Sequence, residues 1–280
     1  MSAALRRILI LERTETDRYR GRNLDLGFPH IYGGQVLAQA LLAASATVPE
    51  QRAIHSLHAY FLRRGDHTLP IDYLVEHTRD GNSFATRRVM ACQGDVPIYA
   101  MCASFQEPEA GLEFAEPPRA AMPDVPTDQA APVPLMDSVP ENVPPGIWET
   151  LANTFEVRTV APGNAMAIPR RQLWFRLAAH ARGERLLDPA YLAYLSDYGL
   201  LTSALLPHGL VEDHAKMRIA SIDHALWLHR PLTLDDWVLF DCGPVSNSNA
   251  RGLTHGSFHD RHGRLLATVM QEGLVRLLRS

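Results

Sequence analysis

Residues 189–206 read PAYLAYLSDYGLLTSALL. Apolar side chains fall on every side of the helix this run predicts, so the helix is expected to be buried all round. Its only carboxylate is Asp197. A carboxylate taken out of water is costly unless donors hold it or chemistry uses it. The helix is expected to open at Asp188-Pro189, a cap followed by proline at the first helical position, which places Asp197 mid-helix. Two uses of Asp197 stay open: a structural acid that caps a loop or pairs with an arginine, and a general base whose pKa is set by burial against donors.

A second run has the same character. From Gly33 to Thr47 there is no charge, only Gln35 and Gln39 among small and apolar residues. Strand-like segments follow each helix: 54–64, 71–79, 83–92 and 97–106 after the first, and 217–229, 237–245, 250–259 and 264–277 after the second. Gly94-Asp95 predicts a hairpin turn, and Arg261-His262-Gly263 another. His58-Ala59-Tyr60-Phe61-Leu62-Arg63-Arg64 aligns with His224-Ala225-Leu226-Trp227-Leu228-His229-Arg230, with four of seven positions identical and an offset of 166. Gln106-Glu107 repeats as Gln271-Glu272, 165 residues on. Order, element type and spacing agree, so the chain reads as a duplication. Residues 107–146 hold ten of the twenty prolines and read as an inert linker, extended with short helical pieces. The expected organisation is therefore 1–106, a first repeat; 107–146, the linker; and 147–280, a second repeat.

A helix buried on all sides needs a sheet that curls around it. Each repeat is then a hot dog unit, and the fold class is α+β: a double hot dog, with antiparallel sheets wrapped around buried central helices. Two such units side by side leave a seam, a favoured place for ligands.

Bulk properties narrow the function. The chain has 280 residues and a net charge of −4, with no basic run to follow a phosphate backbone, so nucleic acid is not an expected partner. Three cysteines without CxxC spacing argue against a disulfide framework or a zinc site. Cys92 and Cys102 read as small core residues. The N-terminus has no signal-peptide pattern, no stretch reaches membrane-spanning length, and LLRS at the C-terminus is no targeting signal. A cytoplasmic protein without membrane contact is expected. GxSxG, GxGxxG, P-loop and HExxH motifs are missing from the sequence.

Two further residues stand out. In the last strand, alternation puts Leu265, Ala267, Val269, Gln271, Gly273, Val275 and Leu277 on one face, where Gln271 is the one polar side chain. A buried amide must find partners. They could be nearby backbone groups, and Gln106 in a similar row favours that structural share. Ser221 lies in a predicted strand with Ile219, Asp223, Ala225 and Trp227 on its face. Alone it reads as structural.

The motifs YGGQVLAQAL (32–41), HSLHAYFLRRGD (55–66), RDGNSFATRRV (79–89), YAMCASFQ (99–106), LSDYGLL (195–201), SIDHALWLHRP (221–231) and ATVMQEG (267–273) resemble type II (TesB-type) acyl-CoA thioesterases. The resemblance covers nearly the whole chain apart from the linker. It implies a double hot dog fold, no cofactor, no metal, and hydrolysis of fatty acyl-CoA to free fatty acid and CoA. The family's aspartate, threonine or serine, and glutamine map onto Asp197, Ser221 and Gln271. Many members carry threonine where this chain has Ser221; the hydroxyl is kept. In the mechanism this implies, Asp197 takes a proton from water that Ser221 and Gln271 orient. Gly33 and Gly34, at a helix start, are expected to supply oxyanion support through backbone N–H groups. His55 aligns with Ser221 in the other repeat and is expected to serve packing or substrate contact. The first repeat has no carboxylate at the place of Asp197, so one active site per chain is expected. The CoA phosphates should meet surface arginines, which the sequence does not single out. Homodimers or homotetramers are expected, since the outer sheet faces need cover. Alternatives are an acyl-CoA-binding or sensing module without hydrolysis, and a hot dog acyl-thioester hydratase or dehydratase.

Overall fold

The computed structural model describes residues 4–27, 30–118, 122–126, 145–160, 168–182, 187–210 and 217–278. In chain order the elements are α1 (Ala4–Ile8), β1 (Glu12–Glu15), β2 (Arg18–Gly21), α2 (Gly33–Ser45), β3 (Ala53–Phe61), β4 (Ile71–Asp80), β5 (Phe84–Gln93) and β6 (Val96–Gln106). After the linker come α3 (Pro145–Thr154), β7 (Phe155–Thr159), β8 (Arg171–Leu177), α4 (Asp188–Ser196), β9 (Met217–Ser221), β10 (Asp223–Leu228), β11 (Val238–Ser248), β12 (Arg251–Asp260) and β13 (Leu265–Leu277). α3 spans the expected 146/147 boundary.

All strands join one antiparallel sheet in the order β1-β2-β4-β5-β6-β3-β10-β13-β12-β11-β8-β7, with β9 also beside β13. The repeats meet edge to edge at β3 and β10. There His58 faces Ala225 and Ala59 faces His224. These two pairs are images of each other under the 166-residue repeat, so the duplicated His-Ala motif pairs with its own copy about a local two-fold. The expected hairpins form, with Gly94 and Gly263 at φ +58° and +81°.

α2 is buried along its length, from Gly34 to Ala44 except Leu42. Its two glutamines are fully buried and held by donors and acceptors. Gln39 Nε2 donates to the Ile8 and Arg22 carbonyls, and its Oε1 accepts from Tyr73 Oη at 2.6 Å. Gln35 bridges Asn23 and the Leu24 N–H. Buried amides satisfied in this way fix how α1 and the chain before α2 pack on the helix. α4 is equally enclosed, with Ala190 to Leu195 all buried. Both helices belong to one continuous apolar core.

Four expectations change. The buried run does not make one helix. α4 ends at Ser196, and a 3-10 segment, Leu201–His208, follows a turn. Gly199, at φ +67°, breaks the helix, and a Cβ there would strike the Arg171 guanidinium. Asp197 is therefore the residue that closes α4, not a mid-helix residue. Second, Asp188 is the first helical residue and not the cap; the capping position is Leu187, without a side-chain cap bond. Third, Cys102 is exposed on β6 and Cys92 half-buried, while Cys242 is the buried thiol. Fourth, the linker is not wholly inert. Residues 107–118 run without regular structure and mostly exposed, but Met122 and Val125 pack on Trp174, Trp237 and Leu239 of the second repeat. Glu113 pairs with Arg230 at 2.9 Å. Of the helical pieces expected within 107–146, none forms in 107–118, and residues 119–121 and 127–144 lie outside the described residues.

One irregularity matters for the site. From Ser221 to Ala225 the strand advances four residues, while its partner β13 advances three, from Gly273 back to Met270. The extra residue makes a bulge around Ile222. The bulge leaves Glu272 N–H without a ladder partner, and Asp223 Oδ1 accepts it at 2.6 Å. The phase of alternation flips across the bulge. Ser221 therefore faces the core with Gln271, on the opposite side from Asp223, Ala225 and Trp227 with which simple alternation had grouped it. The first repeat has its own shift at the matching place, between Ile54 and Ser56.

Candidate active site

α2 and α4 cross at the seam between the repeats, N-terminus of one to C-terminus of the other. The approach is close because Gly34 has no side chain: a Cβ there would run into the Tyr194 carbonyl of α4. At Gly33 a Cβ would lie 2.8 Å from Asp197 Oδ2 and 2.9 Å from the Phe61 ring. Tyr32 Oη ties the crossing by donating to the same Tyr194 carbonyl at 2.9 Å.

The crossing puts Asp197 against the start of α2. The Gly34 N–H donates to Asp197 Oδ2 at 2.9 Å. Tyr32, at the capping position of α2, makes no side-chain cap bond. Asp197 thus does for α2, from the other repeat, what an N-cap carboxylate does from its own chain segment. The structural use left open for this acid is real. It does not exhaust the residue, because the other oxygen is engaged differently. Gln271 Nε2 donates to Asp197 Oδ1 at 2.6 Å and to Ser221 Oγ at 3.1 Å. The amide orientation follows from chemistry: an ionised carboxylate only accepts, so the NH₂ end must face it. Gln271 Oε1 is buried with no partner among the described residues. An orphaned buried acceptor is a cost, carried by a residue whose amide joins the acid to the hydroxyl. Nearby backbone is not what the Gln271 amide engages.

Opposed effects set the acidity of Asp197. Withdrawal from bulk water is the largest, and it raises the pKa above the ordinary carboxylate value; the bonds from Gln271 and Gly34 pull the other way without overcoming it. Its place at the C-terminal pole of α4 also disfavours the charge, and the N-terminal pole of α2 favours it. The three surrounding phenols, Tyr32, Tyr99 and Tyr194, are pushed up by burial, with the Asp197 charge adding to the shift. They are neutral walls.

The segments flanking Asp197 are pinned. Before it, Ser196 Oγ donates to the Ala193 carbonyl and lies 2.9 Å from His224 Nε2. Burial lowers the His224 pKa to about 3, so this is a neutral pair. After it, Arg171 Nη1 donates to the Gly199 carbonyl and Thr202 Oγ1.

A cavity of about 420 Å³ opens above this cluster. Asp197 and Ser221 line it; so do Ile31, Tyr32, Gly33 and Val36 from the first repeat, and Gly199, Leu201, Thr202 and Ile219 from the second. Gln271 sits behind its wall, fully buried. His55 is not among the lining residues; it bonds to Ser104 Oγ at 2.8 Å and stands edge-on to Phe84, which is a packing role. Sequence reading missed Tyr32, Phe61 and Tyr99, whose apolar neighbours hid them, and Asp223, whose value comes from a bulge that no glycine marks.

Two wrapped-helix repeats joined along one sheet, with a polar cluster at their seam, make this a double hot dog protein. A conserved hot dog protein from Alicyclobacillus acidocaldarius shares the fold at 19% identity, with a TM-score of 0.73 over the full length of both chains. The family model described as Acyl-CoA thioesterase matches residues 145–274, and the one described as Acyl-CoA thioesterase N-terminal domain matches residues 23–106. Acyl-CoA thioesterase 2 of Haemophilus influenzae is 38% identical over 276 residues, 96% of each chain. Acyl-coenzyme A thioesterase 8 of Homo sapiens is 33% identical over 96% of this chain and 88% of its own. The crystal structure of acyl-CoA thioesterase II TesB2 from Mycobacterium marinum superposes with a TM-score of 0.80 at 36% identity, covering 99% of this chain and 98% of that one. The chain belongs to the acyl-CoA thioesterase family.

Proposed function

We propose that the chain hydrolyses fatty acyl-CoA to free fatty acid and CoA, with Asp197 as general base. The observation that supports this assignment is the Asp197–Gln271–Ser221 chain of hydrogen bonds at the floor of the seam cavity. A thioester carbonyl is electrophilic and its thiolate leaves readily, so water needs a position and a base. Gln271 spends both N–H groups, one on the carboxylate and one on Ser221 Oγ. The Ser221 proton is then available to hold a water against Asp197. The water oxygen attacks the carbonyl carbon and its proton passes to the Asp197 carboxylate. The C–S bond breaks as the tetrahedral intermediate collapses, and the thiolate leaves to be protonated. General-base assistance of this kind contributes about 10²–10⁴-fold. The Gly34 N–H is already committed to Asp197. Oxyanion support is therefore assigned to the N–H of Gly33, the first residue of α2, whose position leaves it without an intrahelical acceptor.

A cytoplasmic place in fatty acid metabolism and a homodimeric or homotetrameric state belong to the same proposal. None of the described helices is long and apolar enough to cross a membrane. The sheet leaves Tyr60 on β3 at 59% exposure, one of the apolar side chains a second copy would cover.

Thiol release from a series of acyl-CoA esters, short to long, tests the reaction. Equimolar free CoA and fatty acid support it; tight acyl-CoA binding with no thiol released, or a hydrated or dehydrated acyl-CoA as product, overturns it. Asp223 supplies a second check. It holds the bulge that turns Ser221 inward, so Asp223→Ala is expected to lower kcat about tenfold through a displaced hydroxyl. Asp223→Asn keeps an acceptor for Glu272 N–H and should restore most of the loss. Equal kcat in both variants would detach the bulge from catalysis.

A further inference from the structure

The cavity has two chemically different ends. Its floor is Asp197 and Ser221, and its middle is walled by Ile31, Phe61, Ile98 and Ile219. Its other lining residues include Leu62, Arg63, Arg64 and Gly65, the segment that continues β3 past Phe61. Leu62, Arg63 and Arg64 are exposed, so this segment forms the rim. Phe61 stands at Gly33, beside Asp197, and Arg64 is three residues further along, roughly 10 Å at the rise of an extended chain.

The rim is held by the fold. Leu62 N–H and Arg63 N–H both donate to the Ile98 carbonyl, and the Gly65 carbonyl accepts from Ile31 N–H at 3.1 Å. Arg63 Nη1 donates to the Pro97 carbonyl at 2.8 Å, a neutral acceptor. Among the described residues neither guanidinium has a carboxylate partner, unlike Arg20 with Asp72 or Arg264 with Asp260, and both line the cavity. The Arg64 charge also reaches His30 on the same lining, where it adds to burial in lowering the imidazole pKa. In a chain of net charge −4, two cations without carboxylate partners at the mouth of the cavity form a local positive field for an anionic ligand.

We infer that Arg63 and Arg64 form the subsite for the phosphate groups of the CoA moiety, so that the nucleotide end of the substrate lies at the rim while the thioester reaches Asp197. This rests on the acyl-CoA hydrolysis proposed above. The shared ligand chemistry is an anion, and a second carboxylate at the far end of an acyl chain is the other source of one. A monocarboxylic acyl group removes that source. The test therefore compares octanoyl-CoA with S-octanoyl-N-acetylcysteamine, which carries the same thioester and no phosphate.

Arg63→Gln, Arg64→Gln and the double variant are expected to lower kcat/KM for octanoyl-CoA about threefold for each guanidinium removed, the scale of an exposed charge pair. The loss should fall in KM and be at least fivefold larger, in the double variant, than any loss on the truncated thioester. Raising ionic strength should reduce the wild-type preference for the CoA ester and leave the double variant unaffected. Arg64→Gln keeps the outcome clear of folding, since Arg64 makes no hydrogen bond within the described residues. Equal losses on both esters, or no loss on octanoyl-CoA, would overturn the subsite. Failure of the wild type to release thiol from either ester would instead strike the hydrolytic reading itself.

Discussion

Replacing Asp197 with asparagine is expected to lower kcat by about 10²–10⁴-fold, the contribution of a positioned general base, with Tm held within about 3 °C. The fold tolerates the change because both bonds to Asp197 can survive it. An asparagine carbonyl can still accept the Gly34 N–H that now goes to Oδ2, and asparagine serves as well as aspartate at the start of a helix. The Gln271 amide can rotate to present its unpartnered Oε1 to the new NH₂ group. The base is lost and the packing is kept. The raised pKa of Asp197 adds a thermodynamic signature. A carboxyl whose folded pKa lies above its unfolded value favours folding most below the unfolded value, and that contribution is lost as pH rises through the folded one. Asp197→Asn should therefore flatten the dependence of Tm on pH between acid and neutral conditions. A variant with near wild-type kcat on an acyl-CoA would remove Asp197 from the role of base.

Gln271→Leu is expected to lower kcat by about 10²-fold, the scale of misplacing a reacting group by about 1 Å. Leucine keeps the volume of a fully buried side chain in a row that already holds Ala267 and Val269. It removes the two donations that fix Asp197 and Ser221; losing the orphaned Oε1 offsets only part of the cost of a buried carboxyl left without its donor, so a loss of about 1–3 kcal/mol is expected. A packing role and a catalytic one separate in the pH profile. The Gln271 bond is the leading influence that lowers the Asp197 pKa against burial. Without it that pKa moves further up, and the acid limb of kcat/KM shifts toward higher pH. The same loss of stability with an unmoved limb would make Gln271 structural.

Much of this arrangement was legible in the chain. The buried runs at 33–47 and 189–206 announced two enclosed helices because no face of either could be left in water. Asp197 and Gln271 stood out as polar groups in apolar rows, and a single unbroken strand period carried Gln271 to the correct face of β13. Ser221 was misplaced for the same kind of reason: period-two alternation fails at a bulge, and Ile222-Asp223 carries no glycine to mark one. The helix break at Gly199 was hidden by the apolar residues on both sides of it. The short strands β1, β2, β7 and β8 escaped because four to seven residues give too few periods to register; ERTE turns no apolar side chain inward and RYRG turns in only Tyr19. Arg63 and Arg64 were indistinguishable from the other cations, since what sets them apart is a cavity formed by segments distant in sequence.

The dependence of kcat/KM on pH for acyl-CoA hydrolysis, measured side by side for the wild type and Asp197→Asn, tests the base most directly. The carboxyl must be ionised to accept the proton, so the wild type should lose activity on acidification with a midpoint above the ordinary carboxylate range, and the residual activity of the variant should show no such limb. A wild-type limb within the ordinary carboxylate range, or the same limb persisting in the variant, would contradict the assignment.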